Sequence, residues 1–481
     1  DNPHYLSNQV DNGYTVNNRK TSAPSVGEDS SGSTSFTDVV GISDSSIAFD
    51  TQTLGLGLYD VNAQNNSDSM VAYIRDTHNT GYMHGDIKGA FLSSIDDTNL
   101  GTNLLTVGTF DSASGWTLSG TGAFSISGGK LNGDGTSGTS FAQRAETPAV
   151  ITSGLTYTVK AVVTRTSGNL YARVANSSYS VNIGSTGTHY VSLTAGNVPT
   201  ETVLFYSDGF NGTIDDVEVY IEDQDRSVNQ KGLQVYGTIH KNPVATGAEL
   251  VAYSNFSSGR YLFQSYNSDL DFTNTMSIML WVNGWVGSDS LLHRGPGTTR
   301  NSKTSFHLYC SYDYNYRITF TTDGSTEQTY EIPLTANQTS WQHLCFTLSG
   351  GVVRGFLNGE EKTLSSTSFS GNIFSQATDQ NGLWIGTGPV GGAAETASLA
   401  LLRLSASAPS AEQVKKMYND EKCLYHENAK CTLHGSSDDV KALAFDDTTN
   451  VLHVGTSSGR SEFQGLNRIN NTTTAVTTAI S

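Results

Sequence analysis

Apolar and polar residues alternate with a period of two through most of this chain, the spacing of strands with one face buried. The densest example is the stretch 341–364, WQHLCFTLSGGVVRGFLNGEEKTL. It predicts strands at 341–348 and 352–357 around a Ser349-Gly350-Gly351 turn. Asn358-Gly359 predicts a second tight turn, because both residues tolerate the positive φ that a hairpin demands. Upstream, Ile278, Leu280 and Val282 alternate with Met279 and Trp281 in another predicted strand. At 45–61 the segment Ile47-Ala48-Phe49 is followed by a polar turn and then by Leu54, Leu56 and Leu58. Residues 441–460 repeat that design, with Leu443-Ala444-Phe445-Asp446, a polar turn, and Val451, Leu452 and Val454. A helical period is convincing at one place, where Val414, Met417 and Tyr418 follow Pro409 and a Ser410…Gln413 capping box. The expected fold class is therefore all-β with one short helix.

Composition agrees and narrows the partners. Against 49 Gly there are only 9 Pro, and 15% of residues are charged, as in chains of short strands and tight turns. A length of 481 residues allows about three domains of roughly 150 residues. The balance of 45 acidic to 27 basic residues gives a net charge of −18, which repels a phosphate backbone and excludes nucleic acid as a natural partner. No apolar run approaches the roughly 18 residues of a helical membrane span, so membrane insertion is not expected. Four cysteines are too few to staple a fold of this size. The chain opens on Asp1 in mid-pattern and reads as a piece of something longer.

Three resemblances organise the chain. The 341–364 hairpins, the NSDLDFTNTMSIMLWV segment ahead of them, LWIGTG after them, and the final strand with its capped helix resemble the laminin-G and pentraxin type of concanavalin A-like jelly roll, over 249–422. Residues 98–223 open on Gly108-Thr109-Phe110-Asp111 with Gly115-Trp116 and close on Ile214-Asp215-Asp216-Val217. This frame resembles carbohydrate-binding modules of the galactose-binding-like jelly-roll type, and the resemblance implies adjacent first and last strands and a structural Ca²⁺ held by Asp111 and Asp216. The two Ala-Phe-Asp segments, in 1–97 and 423–481, resemble blades of a β-propeller cut from a larger ring or completed by oligomerisation; a plain β arm is the alternative. Residues 224–248 read as a connection carrying a strand. The expected architecture is two inserted β-sandwich jelly rolls within a propeller-blade-like or β-repeat frame.

Candidate chemistry is sparse. No phosphate loop, H-E-x-x-H helix or G-x-S-x-G elbow is present, although a pair of carboxylates for glycoside hydrolysis needs no local motif. Cys423, His426, Cys431 and His434 have zinc-compatible spacing, with a Cys423–Cys431 disulfide or unlinked residues as the alternatives. His78, His84 and Asp86 form a second cluster, in which Asp86 also serves as a turn residue. In pentraxins a cysteine at the Cys345 position pairs with one in the earlier strand; here Met279 stands there, which puts that bridge in doubt. For sugar binding the candidates are Tyr312, Tyr314 and Tyr316 with Asp313 and Asn315 at a hairpin tip, since sugar C–H faces stack on aromatic rings while polar neighbours take the hydroxyls. Packing or a subunit interface is the competing role for these tyrosines. Trp116, Trp281, Trp341 and Trp384 are expected in cores.

These features predict a non-catalytic, extracellular recognition protein binding a cell-surface glycan or receptor. The closing 47 residues and the NTGYMHGDIKGAFLSS stretch resemble large proteins of marine bacteriophages, which implies a virion-surface or tail-fibre component forming a homo-oligomer, a trimer foremost. A secreted bacterial adhesin or filament subunit is the alternative, and a polysaccharide-degrading enzyme the third.

Overall fold

The computed structural model describes residues 45–50, 55–60 and 70–476, apart from 148, 181, 184, 197–201, 228, 286–288, 297–303, 337–338, 377–380, 389–391 and 447. The fold is all-β, built as almost wholly antiparallel sheets, and among the described residues there is one short α-helix, Ala411–Glu421, placed after the later jelly roll. Ser410 and Gln413 cap that helix reciprocally, as their spacing predicts.

The jelly roll at the centre consists of two facing eight-stranded sheets. One runs in the order Gln234–Tyr236, Tyr261–Gln264, Gly382–Ile385, Asp289–Gly295, Phe306–Cys310, Tyr316–Thr321 and Glu327–Ile332, with the two-residue strand Gly392–Ala393 added in parallel to Asp289–Gly295. The other runs His240–Pro243, Val251–Ser254, Ser398–Ser405, Met276–Asn283, Gln342–Ser349, Val352–Leu357 and Glu360–Lys362. Residues 224–248, read as a connection, thus supply a strand to each sheet. Ile87–Phe91, from the N-terminal region, pairs with Ser398–Ser405 in the second sheet. Its other edge is covered by the 223–226 segment: Asp225 and Asp223 accept the amides of Ala90 and Leu92, and Arg226 N–H donates to the Ala90 carbonyl.

The alternation in Met276–Asn283 serves two cores at once. Ile278, Leu280 and Val282 point between the sheets. Met279 and Trp281 point outward into a second core formed with the helix, Leu424, Tyr425 and the end segments. The 342–357 hairpin has Gly350 and Gly351 in its turn, and Asn358 and Gly359 follow with φ of 54° and 76°. Cys345 faces Met279 directly, and both cysteines of this module, Cys310 and Cys345, are free thiols.

Residues 98–223 form a separate seven-stranded arrangement dominated by two long strands, Thr156–Arg173 and Val203–Ile221, around their own core. The chain ends form two further sheets. Ser45–Asp50, Gly55–Asp60, Met70–Ile74 and Met83–His84 make one four-stranded meander; Val440–Asp446, Val451–Thr456, Gly459–Gln464 and Asn467–Thr472 make the other. The repeated motif has the same register in both: Phe49 pairs with Leu56, and Phe445 with Leu452. The meanders share one apolar core and are joined by Asn79 Nδ2 donating to the Cys431 carbonyl at 2.9 Å and by the Arg75–Asp438 ion pair at 2.7 Å.

At the centre of the second core lies a fully buried ion pair between Arg403 and Glu421. Glu421 also accepts Trp281 Nε1–H at 2.7 Å and the Tyr82 amide at 2.9 Å, while Arg403 donates to the Tyr82 carbonyl. One pair therefore ties the jelly roll, the helix and the N-terminal segment together.

A candidate glycan-binding face on the first module

Three strands that are far apart in sequence build an aromatic row on the outer face of the first module. Phe141 on Thr139–Arg144 stands opposite Tyr206 on Val203–Ile221, and Tyr206 opposite Tyr171 on Thr156–Arg173. The inward neighbours Ala142, Phe205 and Ala172 are buried, so strand alternation directs the aromatic set outward. Tyr206 lies 5.6 Å, centroid to centroid, from both Phe141 and Tyr171. Tyr179 approaches it to 5.2 Å from the following loop and is 41% exposed. Arg173 sits 5.2 Å over the Tyr179 ring, a cation–π arrangement that holds ring and guanidinium together.

A polar row runs beside the rings. Asp208 and Asn169 are cross-strand partners one pleat further along, with Asn169 Nδ2 donating to Asp208 Oδ2 at 3.3 Å and Asn182 Nδ2 donating to Asn169 Oδ1 at 2.7 Å. Aromatic rings beside amides and a carboxylate form a surface suited to a sugar ring, whose C–H face stacks while its hydroxyls exchange hydrogen bonds. Sequence reasoning missed this face. The available signal was a tyrosine at an outward position in each long strand, but their alignment requires the register.

The anticipated hairpin tip divides. Tyr312 is 80% and Tyr314 40% exposed, and Tyr314 takes a left-handed φ of 70°. Tyr316 corrects the expectation: it is fully buried, accepts a 2.9 Å hydrogen bond from Trp285 Nε1 and belongs to the jelly-roll core. Asp313 is engaged by Arg317 at 2.5 Å and by the Ser311 hydroxyl, which hold its carboxyl below the usual range. Asn315 is buried and uses its amide oxygen on the Leu334 N–H.

Asp111 and Asp216 both line a cleft of about 380 Å³. Residues 104–108 run beside the last strand there, with the Val217 amide donating to the Gly108 carbonyl at 2.9 Å. A Cβ on Gly108 would overlap the Val217 carbonyl oxygen, which explains glycine at that position. A Ca²⁺ ion takes roughly six to eight oxygens, from backbone carbonyls and waters as well as carboxylates. Glu218 is occupied by Lys160 Nζ at 2.8 Å and by the Tyr220 hydroxyl, and Asp111 accepts the Thr109 hydroxyl at 2.7 Å. Asp111 and Asp216 offer the cleft two carboxylates, and the further oxygens of a Ca²⁺ site would come from backbone carbonyls and water.

Among the described residues no three His, Cys, Asp or Glu side chains are grouped to hold a metal. Cys423 and Cys431 are free thiols rather than a disulfide. Cys423 donates to the Asp420 carbonyl, and burial pushes its thiol up to about 11. Cys431 is buried and His426 exposed, and the four residues are not grouped to hold a metal. His78 is buried, with its imidazole held well below the usual range by desolvation and by Arg226 and Arg75. The His84 carbonyl accepts the Ser405 hydroxyl; Asp86 pairs with Lys88 at 2.9 Å and its carbonyl accepts the Ala406 amide, a turn role.

Trp116 and Trp281 are buried, as expected. Trp341 and Trp384 are half-buried instead. Trp341 leans on Tyr425 at 4.8 Å. Trp384 ends an aromatic seam between the modules: Tyr190 of the first module lies 4.9 Å from Tyr236, Tyr236 stacks on Tyr261 at 4.6 Å, and Tyr261 lies 5.1 Å from Trp384.

Residues 257–415 match the family described as the concanavalin A-like lectin/glucanases superfamily, in its laminin-G form. The chain matches no curated protein by sequence. Among solved structures, the receptor binding domain of botulinum neurotoxin C/D mosaic serotype is similar over 50% of this chain and 59% of its own length, at 10% identity and a TM-score of 0.34. Domain 4 of an extracellular arabinanase from Geobacillus stearothermophilus, in complex with arabinotriose, is similar over 40% of this chain and 92% of its own, at 17% identity and a TM-score of 0.32. The Ruminococcus gnavus IT-sialidase carbohydrate-binding module bound to α2,3 sialyllactose covers 37% and 96%, at 15% identity and a TM-score of 0.27.

Proposed function

Taking residues 257–415 as a laminin-G-type, concanavalin A-like jelly roll, we propose that the chain is a non-catalytic recognition protein that binds a cell-surface glycan. The observation that carries this reading is the aromatic row of Phe141, Tyr171, Tyr206 and Tyr179 beside the polar row of Asn169, Asp208 and Asn182. Stacking supplies affinity and the hydrogen-bonding row supplies selectivity. Tyr206 is the central ring, in contact with three others, so its truncation removes the most. Binding to an immobilised glycan panel is expected to weaken about 30-fold in Tyr206→Ala, the loss for a hot-spot side chain worth about 2 kcal/mol. Unchanged binding in a folded Tyr206→Ala protein overturns the assignment of this face. Release of reducing ends from a bound polysaccharide replaces the binding reading with a hydrolytic one.

The setting we propose is extracellular, on a virion surface or tail fibre, with the chain forming a homotrimer or higher oligomer. Support comes from two four-stranded meanders whose first hairpins pair Phe49 with Leu56 and Phe445 with Leu452, and which contribute to one apolar core. Such a pair fits adjacent blades of a larger ring, since blades stack on neighbours. Co-purification with phage particles and a trimer mass in solution test this. Recovery only from the matrix of uninfected bacteria sinks it in favour of an adhesin.

A further inference from the structure

The two jelly rolls touch through an unusual joint. Tyr190, Tyr236, Tyr261 and Trp384 form a continuous run of ring contacts of 4.6 to 5.1 Å that begins on the first module and ends on the second. The Tyr236 and Tyr261 planes lie within 13° of parallel. Gln234 Nε2 donates to Ser192 Oγ across the same joint at 3.0 Å. Flexible linkers between independent domains lack such contacts, and relative motion is the ordinary expectation for small polar domain interfaces. Here Tyr190 crosses to Tyr236 at 4.9 Å with the planes tilted by 43°, and the Tyr236–Tyr261 stack behind it belongs to the second module's own sheet, so the crossing ring meets a braced partner.

The surfaces that the joint relates are chemically alike. The first module presents Tyr171, Tyr179 and Tyr206 with Asn169, Asp208 and Arg173. The tip on the second presents Tyr312 and Tyr314 with Asp313 and Arg317. Each combines exposed tyrosine with a carboxylate and a guanidinium. Two surfaces of the same chemistry on two modules in contact fit a ligand that offers the same group repeatedly.

We propose that the aromatic joint locks the two jelly rolls into one recognition unit, and that its partner is a repeating polysaccharide bound at both surfaces at once. This rests on the glycan reading of the first module and adds the second surface, the fixed geometry and the polymeric nature of the ligand. A second binding event within one chain is intramolecular, and its effective concentration is highest when the spacing is held at the right value.

The test uses the full chain with arabinan, xylan, dextran and alginate, each beside its own trisaccharide, measured by calorimetry and surface binding. For a polymer that binds, the expectation is two trisaccharides per chain and polymer binding tighter by about 100-fold or more. Tyr312→Ala with Tyr314→Ala is expected to leave one trisaccharide per chain and to abolish the polymer advantage. Tyr190→Ser with Tyr236→Ser is expected to keep two trisaccharides per chain while cutting the polymer advantage at least tenfold. Should that double variant unfold, Tyr190→Ser alone, at a ring already 37% exposed, is read instead. One trisaccharide per chain in the unaltered protein, or a full polymer advantage in either variant, overturns the proposal. Tyr206→Ala that still binds two trisaccharides overturns the assignment of the first-module face. Absence of binding to all four polymers overturns the glycan reading and this inference together.

Discussion

Replacing Arg403 by Ala should be among the most damaging single changes in the chain. Both members of the Arg403–Glu421 pair are essentially inaccessible to solvent. In the native protein Glu421 receives Arg403 at both oxygens, Trp281 Nε1–H and the Tyr82 amide. Loss of the guanidinium leaves a carboxylate with two neutral donors in a site that excludes water. Breaking a buried pair in this way costs about 3–5 kcal/mol, because the remaining charge is uncompensated. Arg403→Met combined with Glu421→Gln removes both charges and keeps an acceptor for one of the two remaining donors. That double variant should lose only about 1–3 kcal/mol, the cost of one buried donor left unmade. Urea unfolding followed by tryptophan fluorescence reads the difference, since Trp281 bonds directly to Glu421. A cost below about 1 kcal/mol for Arg403→Ala, or a double variant as damaged as the sum of the singles, refutes the claim that this pair is coupled.

Three other outcomes follow from specific groups. Glu222 is buried between Thr158 and Ser192, and desolvation raises its carboxyl above the ordinary 4.5. The native state therefore holds this proton more tightly than the unfolded chain, so its contribution to stability is complete below about pH 4.5 and is lost as pH rises through the raised value; Glu222→Gln should remove that part of the pH dependence in thermal melts between pH 4 and 8. Gly81 has a φ of 66°, and a Cβ there would sit 2.6 Å from Glu421 Oε1; Gly81→Ala should lower the unfolding midpoint, and an unchanged midpoint would show that the buried pair yields. All four thiols should react with a thiol reagent in denaturant without prior reduction, because the cysteines are free; a count of two would indicate a disulfide.

Much of the fold was legible because it is local. Period-two alternation marks strands wherever one side is buried, Asn358-Gly359 marks a turn through its tolerance of positive φ, and Ser410 with Gln413 marks a helix start by satisfying exposed amides. The repeated Ala-Phe-Asp segments likewise became the first strands of two matching meanders. These features depend on a few neighbouring residues, so the sequence by itself determines them.

Only the tertiary structure decided which side of a strand meets solvent and which strands become neighbours. Tyr312, Tyr314 and Tyr316 look equivalent in sequence, yet Trp285 and the opposite sheet bury the last of them. Met276–Asn283 is apolar on both faces because a helix and two end segments cover its outer side. The aromatic face is assembled from residues 141, 171 and 206, brought into line by cross-strand register. Ile87–Phe91 joins a sheet whose partner strand begins more than three hundred residues later. Such pairings are long-range, and no local propensity encodes them; burial of the remaining apolar surface selects them once the strands exist.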